Sequence, residues 1–262
     1  MQLQCENGQR PKRLGPERGR WKPRRWLLWM PASVQRALRA AYHRYQIRRG
    51  RFTSDDPAFK SLDHLLEPGA TALDIGANLG RYTLRMAELV GENGHVLAFE
   101  PVPDTFELLA RHVRYAGYKN VSLFQMAVAD RCGMEKMVLP VKQTGLAAHY
   151  FAHLLAPGEE ANDEILTVYC CTIDSLSLSH PPRLVKIDVE GDEPRVLAGM
   201  RETLAAARPF VLVEVHGSHV PEMMANLGYK GTRLGGSQDW LFWPPEGEET
   251  ARRAIEAVAA AR

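Results

Sequence analysis

Residues 74–80 have the sequence Asp74-Ile75-Gly76-Ala77-Asn78-Leu79-Gly80, which follows the apolar run 71–73 and precedes the helix-like segment 81–89. Gly76 allows a tight turn off a strand, and Gly80 allows the next helix to pack close to a sheet with its first N–H groups facing a ligand. A dinucleotide fingerprint needs another glycine at position 78, where this chain has Asn78. NAD is therefore disfavoured, and a nucleotide-type cofactor without a pyrophosphate is favoured.

A second feature lies downstream of this turn. The apolar run Val96–Phe99 ends in Glu100, twenty residues beyond Gly80. Nucleotide-binding α/β folds place at this distance the acid that binds the ribose hydroxyls. The two features together predict a cofactor site far more strongly than either one alone.

Charge divides the chain into two parts. Residues 1–51 contain 14 Lys/Arg and two Glu, which leaves 19 Lys/Arg and 29 Asp/Glu in residues 52–262. The net charges are therefore +12 and −10. We predict a basic, partly disordered leader with a helix at 1–51 and one catalytic domain at 52–262, a length suited to a single α/β core.

The leader contains a helix-like segment, Ala32–Ile47. Four apolar residues recur there at helical spacing: Val34, Leu38, Ala41 and Tyr45. Two interpretations remain open. The helix packs on its own acidic domain, or the leader binds an anionic lipid, a nucleic acid or an acidic partner, with its tryptophans as interfacial anchors (Trp21, Trp26, Trp29).

Composition also bears on location. The apolar run Trp26–Met30 is too short to span a membrane, and the sequence contains no run of about 18 to 20 apolar residues. The four cysteines show no C-x-x-C spacing, so neither a zinc site nor a disulfide framework is indicated. We expect a cytoplasmic protein without a transmembrane segment. Its oligomeric state is not predictable from these features.

From Thr71 onward, strand-like and helix-like segments alternate, which predicts a doubly wound, mostly parallel, Rossmann-like sheet. Seven strands are predicted: Thr71–Ile75, Val96–Glu100, Ser122–Ala127, Leu184–Val189, Phe210–Val215, Tyr229–Leu234 and Trp240–Trp243. The predicted helices are Arg81–Val90, Asp104–Ala116, Glu193–Ala207 and Val220–Leu227. The segment Arg131–Leu178 breaks the alternation, and we interpret it as a β insertion near the cofactor site.

Ionisable residues concentrate at the predicted strand ends, where open α/β sheets bind their ligands. The first three strands are followed by Asp74, Glu100 and Asp130, the fourth ends in Asp188 and Glu190, and the fifth ends in Glu214 and His216. Strand periodicity places Asp188 with Glu190 on one face, and Glu214 with His216 on one face. Because the fourth and fifth strands should be neighbours, we expect these four side chains to meet.

These motifs resemble those of the FkbM family of S-adenosylmethionine (AdoMet) methyltransferases. The 74–80 stretch resembles the first motif of AdoMet methyltransferases in general. More specific matches are Ala98-Phe99-Glu100-Pro101, Thr172-Ile173-Asp174-Ser175-Leu176, Val185-Lys186-Ile187-Asp188-Val189-Glu190-Gly191-Asp192-Glu193 and Glu214-Val215-His216. The match runs from about Leu65 to Trp243. It implies a class I methyltransferase fold and methylation of an oxygen, typically a hydroxyl of a sugar, glycan or polyketide-like product.

We therefore expect AdoMet to bind through six residues, with Glu100 on the ribose hydroxyls and Asp130 near the adenine amine. The six are Asp74, Gly76, Asn78, Gly80, Glu100 and Asp130. The acceptor hydroxyl must lose a proton, and two routes are open. His216 acts as general base, oriented by Asp188 or Glu214; alternatively, Mg²⁺ held by carboxylates acidifies the hydroxyl. The candidate metal ligands are Asp188, Glu190, Glu214 and His216.

Two other functional classes compete with O-methylation. A non-catalytic AdoMet-fold module recruited through the basic leader would have no need for four ionisable groups at one crevice. An RNA or protein methyltransferase is disfavoured by the acidic catalytic domain, which would repel nucleic acid, and by the lack of an Asn-Pro-Pro-Tyr-like string. The leading hypothesis is thus an O-methyltransferase acting on a small molecule, a sugar or a glycan.

Overall fold

A seven-stranded sheet forms the centre of the molecule. The computed structural model describes residues 30–140, 152–155, 158, 163–216 and 219–260. The strands of this sheet are β1 (Thr71–Ile75), β2 (His95–Phe99), β3 (Val121–Phe124), β8 (Pro182–Ile187), β9 (Phe210–Glu214), β10 (Lys230–Arg233) and β11 (Asp239–Trp243). Their order is β10-β11-β9-β8-β1-β2-β3, and β11 runs antiparallel to both of its neighbours. The predicted class I, mostly parallel seven-stranded fold is confirmed.

The order of the strands positions the site. β1 pairs in parallel with β2 on one side and with β8 on the other, and β8 pairs in parallel with β9. All five residues of β1 are buried, as expected for a strand covered on both faces. The chain adds β2 and β3 on one side of β1 and later adds β8 and β9 on the other side. A crevice therefore opens at the carboxyl ends of β1 and β8.

Helices cover both faces of this sheet. They are α2 (Pro57–Leu65), α3 (Arg81–Val90), α4 (Pro103–Ala116), α5 (Glu193–Ala198), α6 (Arg201–Ala207), α7 (His219–Asn226) and α8 (Glu248–Ala260). The sequence patterns did not reveal α2 and α8, which pack on each other. Among the described residues, no helix combines the length and apolar character that crossing a membrane requires.

The predicted helix Glu193–Ala207 is in fact two helices, α5 and α6. The break falls at Gly199 and Met200. A Cβ at Gly199 would lie 1.9 Å from the carbonyl oxygen of Ala129, so the chain makes a close approach that only glycine permits.

The β insertion forms a second, four-stranded sheet. Its strands are β4 (Ala127–Val128), β5 (Gly133–Leu139), β6 (His153–Leu154) and β7 (Glu164–Cys171), in the order β4-β7-β5-β6. The backbone N–H of Leu154 donates to the carboxylate of Asp192 at 2.9 Å, which joins this sheet to the acidic turn after β8. Residues 141–151, 156, 157 and 159–162 of the insertion lie outside the described part of the chain.

The basic leader ends in α1 (Ala32–Arg48), and residues 1–29 lie outside the described part of the chain. α1 packs against α4 through Ala40 and His43, which are buried. The apolar residues that suggested the helix lie on its other face, where Val34 and Leu38 are each 40% exposed. Helix α1 therefore contacts the part of the chain that follows Arg51.

Candidate active site

A cavity of about 1010 Å³ opens at the carboxyl ends of β1, β2, β8 and β9. One half of it is lined by the turn after β1 (Gly76–Leu79) and by the segment after β2 (Glu100–Val102). The other half is lined by the ends of β8 and β9, by residues 53–56 and by the 236–239 turn. We call these two parts the turn half and the strand-end half.

Tight backbone geometry shapes the turn half. Gly76 has a φ of 75°, and a Cβ there would lie 1.8 Å from the backbone oxygen of Asp188. Its N–H and that of Ala77 both donate to the carbonyl of Phe99, at 3.0 and 2.9 Å. Asn78 also adopts the left-handed conformation, with φ 49°. The sequence thus folds into a turn whose backbone lines the cavity directly.

Glu100 closes the turn half. Its carboxylate accepts one hydrogen bond from the N–H of Asn78 and one from the N–H of Val102, both at 2.9 Å. Only 6% of the residue is exposed, and burial raises the pKa of its carboxyl to about 7. Each carboxylate oxygen can accept a further bond, so Glu100 can still receive hydroxyl donors from the cavity.

Three residues predicted to bind the cofactor do not line the cavity: Asp74, Gly80 and Asp130. Asp74 is fully buried and accepts a hydrogen bond from the hydroxyl of Thr83 at 2.6 Å. Asp130 pairs with Arg195, whose guanidinium donates to it at 2.6 and 2.8 Å. Asp74 therefore stabilises the start of α3, and Asp130 joins the insertion to α5.

Lys186 was not singled out from the sequence, yet it links the two halves. Its ammonium donates to the backbone oxygen of Gly76 at 3.2 Å and to the carboxylate of Asp188 at 3.0 Å. It also lies 3.7 Å from Asp74 and above the ring of Tyr82. Despite burial, this ammonium holds the pKa of Asp188 below its usual range.

The strand-end half brings together the four side chains that the sequence places at the ends of β8 and β9. Nε2 of His216 lies 3.7 Å from Glu190 and 3.9 Å from Glu214. Glu214 and Asp188 are joined by a carboxyl–carboxylate hydrogen bond, and burial followed by the charge of Asp188 raises the pKa of Glu214 to about 8. The predicted meeting of these strand ends is confirmed.

Glu193 holds the histidine in place. Its Oε1 contacts Nδ1 of His216 at 3.0 Å and accepts the N–H of Gly191 at 2.9 Å. Glu193 is 1% exposed, and the bond to it is the main reason that the pKa of His216 rises to about 9. The place of Glu193 in the first turn of α5 is also one where an acid stabilises a helix. The structure adds that the side chain of Glu193 extends back to His216 across the turn at Gly191.

The candidate metal ligands are not arranged to bind a cation. Among residues 30–140, 152–155, 158, 163–216 and 219–260, no group of three or more His, Cys, Asp or Glu side chains has an arrangement that could hold a metal ion. Asp188 is bound to Lys186, and His216 is bound to Glu193. These partners compete with a cation for the same atoms, so the arrangement does not fit Mg²⁺.

Comparison with known proteins identifies the family. The model of the methyltransferase FkbM domain matches residues 74–234. The chain is 31% identical over 216 residues to 31-O-demethyl-FK506 methyltransferase FkbM of Streptomyces tacrolimicus, covering 72% of this chain and 82% of that protein. This chain belongs to the FkbM methyltransferase family. It is an AdoMet-dependent methyltransferase with a class I fold.

Two further FkbM-related proteins resemble it. The hexuronic acid methyltransferase AglP of Haloferax volcanii is 28% identical over 175 residues, which are 64% of this chain and 68% of that protein. The crystal structure of methyltransferase FkbM from Methylobacillus flagellatus KT matches with a TM-score of 0.48 at 12% identity, covering 81% of this chain and 60% of that one.

Proposed function

We propose that this enzyme transfers the methyl group of AdoMet to a hydroxyl of a sugar or another small molecule. The observation that carries the proposal is the contact between His216 and Glu193 in the wall of the cavity, with Glu190 and Glu214 beside the other ring nitrogen. A hydroxyl is a weak nucleophile until its proton is removed, and a histidine oriented by a buried carboxylate is suited to that task. The printed name of one relative, an O-demethyl-FK506 methyltransferase, supports an oxygen acceptor on a small molecule, and that of another, a hexuronic acid methyltransferase, supports an acceptor of the sugar class.

We assign AdoMet to the turn half of the cavity. Its residues fit an amino-acid-bearing nucleoside because the turn after β1 brings backbone close to the cavity and Glu100 offers a buried acceptor to ribose hydroxyls. Gly76, Asn78 and Glu100 would hold the cofactor. Asp74 and Gly80 do not line the cavity and would stabilise the turn that holds the cofactor. Asp130 is not part of the proposed site. When bound, AdoMet supplies an electrophilic methyl group on a sulfonium cation.

In this proposal the protein places the acceptor and takes its proton. His216 Nε2 receives the hydroxyl proton, while Glu193 fixes the ring through Nδ1 and stabilises the imidazolium that forms. Asp188 positions Glu214 and Lys186. With a pKa of about 9, His216 is protonated at neutral pH in the free enzyme. A positive charge brought into the cavity would lower that pKa and favour the neutral base.

Charge in the strand-end half favours an acceptor without negative charge. Several acidic side chains line it, among them Asp56, Asp188, Glu190, Glu214 and Asp239. Burial, followed by the charges of Asp56 and Asp188, raises the pKa of Asp239 to about 6. An anionic acceptor would add repulsion to this set, whereas a neutral polyol can donate hydrogen bonds to it.

The proposal is tested by methyl transfer to a panel of neutral sugars, uronic acids and polyketide alcohols, with products detected by mass spectrometry. We expect O-methyl products that resist treatment with base, formed in the presence of EDTA. His216→Ala should lower kcat by about 100-fold to 10,000-fold with AdoMet affinity little changed. His180→Ala, at an exposed histidine outside the cavity, is the matched control. Full activity of His216→Ala would refute the role of the histidine, and methylation of nitrogen only would refute O-methyl transfer.

A further inference from the structure

The helix α1 has two unlike faces. One face carries Ala40 and His43 and is buried against α4. The opposite face carries a row of exposed apolar residues at helical spacing: Val34 (40% exposed), Leu38 (40%), Ala41 and Tyr45 (51%). A helix that only packed on its own domain would need the first face alone, so the second face calls for another explanation.

Basic side chains border the exposed row. Arg44 lies beside it and stacks over Tyr115 of α4, itself 40% exposed, at 5.1 Å. Arg49 stacks over Tyr45 at 5.6 Å. Helix α1 contains no acidic residue at all. Arg111 continues the basic border on α4, where a shallow groove separates the two helices.

We propose that this face of α1 docks the enzyme on an anionic lipid bilayer. An apolar row bordered by arginines has the pattern of a helix that lies in the membrane interface, with its apolar side chains in the acyl boundary and its cations on anionic headgroups. The face belongs to the basic part of the chain, with a net charge of +12 in residues 1–51 against −10 in the remainder. The acidic domain would be repelled by such a membrane, so the charge distribution orients the protein with α1 towards the lipid.

The amino acids before the helix fit the same partner. Residues 1–29, which the structure does not describe, contain Trp21, Trp26 and Trp29 together with eight Lys and Arg residues. Tryptophan is favoured at membrane–water interfaces because its ring is apolar and its N–H is polar. A nucleic acid would match the positive charge but gives no reason for Val34 and Leu38 to be exposed at the centre of the surface.

The test is co-sedimentation of the full chain with phosphatidylcholine vesicles, with and without about one third phosphatidylglycerol. We expect binding only to the anionic vesicles, and weaker binding as salt is raised. Leu38→Glu and Arg44→Glu should each weaken binding about tenfold or more. Their matched controls are Ile165→Glu, at a residue of 43% exposure on β7, and Arg201→Glu, at an exposed residue of α6. Both controls should bind like the unaltered protein.

Several outcomes would overturn the proposal. The full chain could fail to bind anionic vesicles, bind neutral vesicles equally well, or bind normally with Leu38→Glu. A dimer that Leu38→Glu dissociates, seen by sedimentation equilibrium in the absence of lipid, would assign the face to a second copy. Salt-sensitive binding to duplex DNA or RNA without vesicle binding would assign it to nucleic acid. Cofactor affinity and a cooperative thermal transition in each variant show that folding is intact, and none of these outcomes depends on the proposed methyl acceptor.

Discussion

Backbone atoms shape the turn half of the cavity, whereas ionisable side chains shape the strand-end half. In the turn half, backbone geometry does the positioning, since Gly76 contacts the backbone of Asp188 and Glu100 accepts two backbone N–H groups. In the strand-end half, acidic side chains from three segments lie around His216. Substitutions in the first half should therefore change folding and cofactor binding, and substitutions in the second should change the dependence of the rate on pH.

The largest expected effect is that of Gly76→Ala. The added Cβ would lie 1.8 Å from a backbone oxygen, and neither strand end can move without disturbing the buried sheet. We expect a loss of more than about 3 kcal/mol in the free energy of unfolding, together with loss of AdoMet binding. Gly69→Ala is the control, because its φ is also positive (88°) but nothing lies near its Cβ. Gly69→Ala should lower the free energy of unfolding by only about 1 to 2 kcal/mol, the cost of a left-handed conformation for alanine. Equal losses in denaturant unfolding would show that the close contact is unimportant.

The next effect concerns cofactor affinity. Glu100→Ala removes the acceptor offered to the ribose and leaves the N–H groups of Asn78 and Val102 without their partner. We expect AdoMet to bind more weakly by about 1.5 to 3 kcal/mol in titration calorimetry. Glu107→Ala, at an exposed acid of α4, should leave the affinity unchanged. An unaltered affinity in Glu100→Ala would remove the ribose assignment.

A smaller but more diagnostic effect is expected in the strand-end half. The hydrogen bond that Glu193 accepts from His216 is the largest cause of the raised pKa of His216, so Glu193→Gln should lower that pKa from about 9 towards its ordinary value. Because the neutral imidazole is the base, the rate should rise with pH through the pKa of His216. The midpoint of log(kcat) against pH should then move to lower pH in the variant. Glu202→Gln in α6 serves as the control.

The same pH profile separates two candidate bases. Burial, followed by the charge of Asp188, raises the pKa of Glu190 to about 7, well below that of His216. A rise in rate centred near pH 7 that Glu193→Gln does not move would assign the base to Glu190. A rise near pH 9 that moves downward would assign it to His216. The pKa of His216 lies above the ordinary histidine value because Glu193, Glu214 and Glu190 surround the ring.

The sequence predicts the turn half better than the strand-end half for a physical reason. The turn depends on contiguous residues, so the ends of β1 and α3 were predicted to the residue. The contacts of Glu193 and Lys186 depend instead on how three segments fold back at the end of β8. Spacing along the chain does not specify such contacts.

Helix α1 shows the limit of periodicity. Its helical spacing was recognised from the apolar row that includes Leu38, yet that row is exposed, and the buried face carries His43 and Gln46. Polar residues satisfied by buried partners are invisible to a hydrophobic pattern. The helices α2 and α8 were also missed, and they pack on each other.

The smallest expected effect lies in the link between α1 and the turn half. His43 Nδ1 donates to His112 Nε2 at 3.2 Å, and His112 Nδ1 donates to the carbonyl of Leu79 at 2.8 Å. This arrangement requires His112 to be neutral, because its Nε2 accepts only without a proton. Burial lowers the pKa of His43 to about 3 and that of His112 to about 4. The unfolded chain takes up protons at the ordinary value near 6.5, so the stabilisation is complete above that pH and is lost as pH falls from about 6.5 towards 4.

His43→Phe should therefore flatten this part of the pH dependence. The phenyl ring keeps the packing against Phe52 but no longer binds a proton. Denaturant unfolding at pH 7 and pH 5 measures the difference, and the unaltered protein should lose more stability between the two values than the variant does. His64→Gln, at an exposed histidine of α2, should lose as much as the unaltered protein. If His43→Phe and the unaltered protein lost the same stability between pH 7 and pH 5, the buried histidine pair would not be the cause of the pH dependence.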